Sequence, residues 1–134
     1  MFFTQVFRSV LLILALLLAA CAAPQAPNAD EQRVAAIPLI CKDKATCDVY
    51  WSRAQLWLAT NGAWRVRIAN DTQIETFSGV SDYERKTAYR LLLEKKLDGS
   101  ARIWINPFCR LGGACDPNPT RAAAQFKLFI ESEK

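Results

Sequence analysis

An unbroken aliphatic run near the N-terminus indicates that the rest of this chain is exported and folds outside the cytoplasm. Residues 10–18 read Val-Leu-Leu-Ile-Leu-Ala-Leu-Leu-Leu, with Arg8 before them and Ala19-Ala20 after them. A basic start, a short apolar stretch and small residues at a cleavage point are typical of a secretory signal. The run is also well short of the ~20 residues of a transmembrane helix. We therefore expect residues 1–20 to be a signal peptide.

The end of this signal, Leu18-Ala19-Ala20-Cys21, resembles the lipobox of bacterial lipoproteins. In that family of signals the chain is cut before the cysteine and lipid is attached to its thiol, so the resemblance implies lipidation of Cys21. Several acyl chains anchor a protein far more firmly than one. Ala22 stands where an enterobacterial retention signal has Asp, which resembles the class sent to the outer membrane. The resemblance implies an envelope protein facing the periplasm.

The segment after the cysteine has the composition of a linker. Residues 22–33 are Ala, Pro and polar side chains, with no large apolar residue before Val34. Such a segment has nothing to pack and is typical of a flexible chain. We expect a flexible tether over residues 21–36, with a reach of about 50 Å when extended at ~3.3 Å per residue. Residues 37–134 are then a single domain.

The four cysteines of this domain are Cys41, Cys47, Cys109 and Cys115. An even number in an oxidising compartment favours two disulfides, and a domain this short gains from cross-links. Three connectivities are open, of which we favour the two local bridges, because each pair encloses a short loop. Structural zinc sites usually have two to four residues between paired ligands, whereas both pairs here have five. We predict neither a metal site nor any other cofactor.

The charge balance argues against nucleic acid as a partner. The chain has 17 basic and 13 acidic residues, and loss of Arg8 with the signal leaves a net charge of +3. The two signs are interspersed, whereas a nucleic-acid-binding domain normally carries a basic face or stripe.

Hydrophobic spacing predicts a helix followed by two strands in the first half of the domain. Tyr50, Ala54, Trp57 and Leu58 form one apolar stripe, widened by Trp51, within a predicted helix over 48–60. Thr46 and Asp48 are candidate caps, and Asn61-Gly62 is a stop signal. The strands are predicted at 64–68 and 72–77. Placing Val66 and Ile68 beside Ile74 and Thr76 requires a three-residue loop or a bulge at 70–72.

The stretch 81–97 allows two interpretations. Ser81 and Glu84 would form a capping box for a helix. Asp98-Gly99 between two apolar runs instead favours a hairpin, with Leu93 opposite Trp104 and Leu92 opposite Ile105. We choose the hairpin, with 79–85 as a loop.

A closing helix is predicted over 119–131, capped by Asn118 and with Pro119 in its first turn. The expected fold is therefore α+β: a four-stranded antiparallel sheet with an N-terminal and a C-terminal helix packed on one face.

Residues 37–130 resemble a group of small proteobacterial lipoproteins of uncharacterised function. The resemblance is carried by Cys41-x5-Cys47, the aromatic helix from Trp51 to Trp57, the strand ending Ile74-Glu75-Thr76, and Cys109-x5-Cys115-x-Pro117 before Phe126. Related sequences often have Phe-Gly-Cys where this chain has Gly113-Ala114-Cys115. The resemblance implies the fold and the disulfides, but no activity.

The sequence offers little catalytic chemistry. It contains no histidine, which removes the commonest general base and the standard hydrolytic triads. No serine has the G-x-S-x-G context, and bridged cysteines leave no thiol nucleophile. The carboxylate pairs Asp71/Glu75 and Asp82/Glu84 are interpreted as solvated or capping residues. We expect a protein that is not an enzyme.

Two functions fit these expectations. The first is a non-catalytic interaction module that binds an envelope protein or peptidoglycan. The second is a periplasmic inhibitor or immunity protein against a cell-wall-active enzyme. Its contact loop would be 79–86, with Asp82 and Tyr83 as the candidate binding residues.

Overall fold

The fold is a five-stranded antiparallel sheet with three helices, in a computed structural model that describes residues 25–79, 85–110 and 114–132. In chain order the elements are α1 Ala29–Ala36, β1 Leu39–Cys41, α2 Lys44–Asn61, β2 Val66–Ala69, β3 Gln73–Thr76, β4 Ala88–Lys95, β5 Ala101–Phe108 and α3 Pro119–Glu131. The strand order is β1-β5-β4-β3-β2. Within the described ranges, no helix is long and apolar enough to cross a membrane.

The prediction of four strands and two helices is wrong, because the sheet has a fifth strand at its edge. β1 pairs with β5, with Leu39 opposite Ile103 and Cys41 opposite Ala101. Leu39 and Cys41 point into the core, whereas Ile40 is exposed. A strand of three residues offers too few positions to display the two-residue period from which strands are recognised.

The additional helix, α1, lies within the segment expected to be a tether. Asn28 caps it by accepting a hydrogen bond from the Glu31 amide, and the Glu31 side chain accepts one from the Asn28 amide. This reciprocal pair satisfies two amides that a helix start otherwise leaves open. No residue of α1 is buried, so the helix has no apolar stripe by which it could be recognised.

Helix α2 supplies the largest side chains of the core. It begins earlier than predicted because Asp43, rather than Thr46 or Asp48, is the cap, and accepts a bond from the Thr46 amide at 2.8 Å. The expected stripe is buried except for Tyr50, which is half-buried, and Trp57 lies at its centre. The Trp57 ring makes edge contacts with Tyr89 and Phe126 at centroid distances of 5.3 and 5.4 Å.

Helix α3 has the predicted bounds, cap and first-turn proline. Its buried residues Ala122, Phe126 and Ile130 join the core cluster formed by α2 and the inward side chains of the sheet. α2 and α3 lie on the same side of the sheet and cover the side chains that point to that side. The side chains that point to the opposite side of the sheet are covered by neither helix.

The interpretation of 87–105 as a hairpin is confirmed, but the predicted register is wrong by one residue. Leu92 lies opposite Trp104 and Leu93 opposite Ile103. The turn includes Leu97 as well as Asp98-Gly99, since the Lys96 amide donates to the Ser100 carbonyl. Gly99 has φ +84°, which suits a glycine in this turn type.

The β2–β3 pair contains the expected irregularity at a different place. Val66 lies opposite Thr76 as predicted, but Ile68 lies opposite Glu75 rather than beside Ile74. The register shifts between Val66 and Ile68, not at 70–72. The loop itself is tight because the Asn70 side chain accepts bonds from the Thr72 and Gln73 amides.

Candidate functional site

The side of the sheet away from α2 and α3, called here the exposed face, is the candidate functional site. It is formed by alternate side chains of four strands: Ile40, Gln73, Glu75, Arg90, Leu92, Glu94, Arg102, Trp104 and Asn106. Because side chains alternate along a strand, the one-residue correction of the β4–β5 register brings Leu92 and Trp104 together on this face.

The centre of the exposed face is apolar. Leu92 and Trp104 are direct cross-strand neighbours and are 44% and 48% exposed. Ile40, on the neighbouring edge strand, is 47% exposed. Apolar side chains grouped on one face often mark a binding surface, whereas single exposed ones are common and need no explanation.

The Trp104 ring is held in place by charged neighbours. Its indole Nε1 donates to Glu94 Oε2 at 2.8 Å, and Arg102 Cζ lies 5.0 Å from the ring centroid. A guanidinium over an aromatic face is attracted by the ring quadrupole. The ring is therefore presented in one orientation, so that less side-chain freedom remains to be lost on binding.

Beside this apolar centre lies a charged cluster around Glu75, which is only 6% exposed. Arg67 Nη2 donates to Glu75 Oε1 at 2.7 Å, and Arg90 donates to both carboxylate oxygens at 3.2 and 3.3 Å. Gln73 Nε2 donates to Oε2 at 3.2 Å. The hydrogen bond from Arg90, followed by that from Arg67, holds the pKa of Glu75 below its ordinary value, although burial opposes the shift.

This cluster presents positive charge to solvent. The Arg67 and Arg90 side chains are both about half exposed, whereas the carboxylate between them is covered. The prediction that Glu75 is an ordinary solvated or capping residue is therefore wrong. Glu75 is buried and ionised. Such a carboxylate positions arginines, and its lowered pKa is the opposite of what a general acid requires.

The predicted disulfides are both present. Cys41 is bonded to Cys47 and Cys109 to Cys115, with Cα–Cα distances of 5.1 and 5.8 Å. The first joins the end of β1 to the first turn of α2, and the second closes the segment between β5 and α3. Across 25–79, 85–110 and 114–132, no group of three His, Cys, Asp or Glu side chains converges as metal ligands would.

Three residues that the sequence indicated for lipid attachment or binding cannot be placed in the fold. Cys21, Asp82 and Tyr83 lie outside the described residues. The exposed face was missed at the sequence level, because an error of one residue in the hairpin register hides the Leu92–Trp104 pair. The alternation of Arg90, Leu92 and Glu94 along β4 was the signal that could have revealed it.

A groove of about 820 Å³ extends the apolar surface around the β1 edge. It begins at Ile40 on the exposed face and continues to Val49 and Tyr50 of α2, with Lys42 and Glu131 at its border. Ile40 is thus shared by the exposed face and the groove, so a partner on the exposed face could extend around the β1 edge into the groove.

No protein-family description, curated protein or solved structure matches this chain.

Proposed function

We propose that this chain is a lipid-anchored, non-catalytic binding module of the bacterial envelope, and that its exposed face binds a partner protein. The observation that carries the proposal is the half-exposed, oriented Trp104 beside Leu92 on adjacent strands. Tryptophan and arginine are the residues most enriched at energetic centres of protein interfaces.

The arrangement of charge indicates the chemistry of the partner. Around the apolar centre stand Arg67, Arg90 and Arg102, against Glu75 and Glu94. Glu75 is covered by the two arginines that it binds. The surface that a partner would contact is therefore more positive than three arginines and two glutamates alone indicate. We infer a partner with an apolar patch bordered by carboxylates, since electrostatic complementarity of this kind steers association and fixes register.

The anchor is part of the same proposal. Leu18-Ala19-Ala20-Cys21 supports cleavage before Cys21 and lipid on its thiol, and Ala22 supports a place at the outer membrane facing the periplasm. Mass spectrometry of the N-terminal peptide tests the lipid, with Cys21→Ser as the variant that should lack it. An unmodified Cys21 would refute the anchor.

Crosslinking pull-down from intact cells tests the exposed face. Trp104→Ala should abolish recovery of the partner, whereas Leu97→Ala should not, because Leu97 is equally apolar but lies fully exposed in the turn between β4 and β5. Loss of one exposed cross-strand pair costs about 0.2–1 kcal/mol, so the Trp104→Ala domain should stay folded, as circular dichroism would verify.

Equal recovery by wild type and Trp104→Ala would refute the exposed face as the binding surface. A cell-wall hydrolase among the recovered proteins would favour the inhibitor hypothesis. Binding to purified peptidoglycan without any protein partner would show that the partner chemistry is wrong.

A further inference from the structure

The way in which α1 is fastened limits how far the folded domain can stand from its anchor. α1 and α3 run side by side in the same direction. Near their N-terminal ends, Arg121 Nε donates to Glu31 Oε1 at 2.8 Å, and Arg121 Nη2 donates to the Ala26 carbonyl at 3.4 Å. At the other end, Lys127 of α3 donates to the carbonyls of Val34, Ala35 and Ile37.

Lys127 makes the more buried of the two contacts between α1 and α3. Its side chain is buried, and burial lowers the pKa of its ammonium group. The last carbonyls of a helix lack partners within the helix and carry a partial negative charge. One buried ammonium group therefore satisfies the C-terminal end of α1, and the contact joins two segments about 90 residues apart in the chain.

This fastening shortens the link to the membrane. A tether that was free as far as Ala36 would reach about 50 Å when extended. With Ala26 held against Arg121, the five residues from Cys21 to Ala26 span at most about 18 Å.

The contacts of α3 identify the end of the domain that is nearest to Ala26. The Thr87 hydroxyl donates to the Pro117 carbonyl, and the Asp116 amide donates to the Arg85 carbonyl. The start of β4, the end of β5 and the start of α3 therefore lie together, and we call this the near end. The turn at Gly99 and the Cys41–Cys47 disulfide lie at the far end. Eight-residue strands separate the two by about 26 Å.

We propose that lipid on Cys21 holds the near end against the membrane surface and directs the far end away from it. This inference rests on the proposed lipid attachment. The strands then run away from the membrane, so that the exposed face rises from the membrane surface and is open to a partner from the side.

Length, rather than charge, imposes this orientation. Among the described residues, the exposed charges at the near end include Arg65, Arg85, Lys86, Arg110 and Asp116. Because most of these charges are positive, the effect of salt distinguishes the two causes. Salt screens the attraction between these charges and anionic headgroups, but it does not change the maximum length of the five-residue link.

Energy transfer from the domain to the membrane tests the orientation. The full-length lipidated protein is placed in vesicles of phosphatidylethanolamine and phosphatidylglycerol containing a rhodamine-labelled lipid as acceptor. A donor dye is attached through Lys86→Cys at the near end or Leu97→Cys at the far end; both positions are exposed. We expect strong transfer from position 86, weak transfer from position 97, and the same difference in about 0.5 M salt.

A matched variant leaves the folded domain unchanged. Insertion of about 16 Gly and Ser residues between Pro24 and Gln25 adds a flexible link with a mean span of about 22 Å. The difference between the two dye positions should then largely disappear. Lys127→Met, with circular dichroism to verify folding, should reduce the difference by releasing α1.

Equal transfer from both positions of the lipidated protein would overturn the orientation, as would a difference that disappears in salt. If mass spectrometry finds no lipid on Cys21 and neither position shows transfer, the anchor itself is refuted, and the orientation with it. The two failures are distinguished by the mass of the N-terminal peptide.

Discussion

Replacing Glu75 by Gln removes the charge that holds Arg67 and Arg90 on the exposed face. Gln can accept a bond on one oxygen, but it cannot neutralise two guanidinium groups. Hydrogen bonds to charged groups contribute about 1.5–3 kcal/mol, and the half-exposed arginines can regain water, which keeps the loss below that of a fully buried pair. We expect Glu75→Gln to lower the free energy of unfolding by about 1.5–3 kcal/mol at pH 7.

The loss of stability in Glu75→Gln should depend on pH. Because the pKa of Glu75 is lowered in the folded protein, its contribution to stability is fully present above the ordinary value of 4.5 and is lost as pH falls through the folded pKa. At low pH, wild type also carries an uncharged side chain at position 75. The difference in stability between the two proteins should therefore narrow below pH 4.5.

Urea unfolding followed by tryptophan fluorescence, from pH 7 to about pH 2, measures this difference. Glu94→Gln is the matched control on the same face, since Glu94 is exposed and accepts a bond from Trp104; it should cost up to about 1 kcal/mol. A Glu75→Gln difference that stays constant down to pH 2, or one no larger than that of the control, would refute the assignment of Glu75 as the organiser of the cluster.

Two further predictions concern stability. Replacing both Cys41 and Cys47 by Ser should cost about 2 kcal/mol by loop-closure entropy, measured by urea unfolding; no loss would show that the bridge is dispensable. Burial raises the pKa of Tyr89 to about 12, so stability should fall as pH rises from 10 to about 12, when the unfolded chain ionises first. Tyr89→Phe should lack that fall, and an unchanged alkaline profile would contradict the assignment.

Much of the fold follows from local signals in the sequence. Asn118-Pro119 marks the start of α3, Asp98-Gly99 marks the β4–β5 turn, and the spacing of the cysteines favours the two local bridges. Each of these signals depends on residues close together in the chain, where the backbone restricts the outcome.

The candidate site could not be predicted in the same way, because it depends on register and on distant contacts. One additional loop residue, Leu97, decides whether Leu92 and Trp104 share a face. Glu75 is buried by Arg67 and Arg90, which are 8 and 15 residues away. α1 is fastened by Lys127, more than 90 residues further along the chain than Val34 and Ala35.

The Cys41–Cys47 bridge has a consequence for solubility. An edge strand offers unpaired backbone groups to other chains, and a short edge strand limits that hazard. β1 has three residues and its last one is bonded to α2, so it covers part of the flank of the eight-residue β5. Without the bridge, β1 would be held only by its pairing with β5 and by the burial of Leu39 and Cys41, so detachment would cost less; if β1 detached, β5 would become a long edge on which a second molecule could add a strand. We therefore expect reduction of this one bond to make the domain more prone to aggregate.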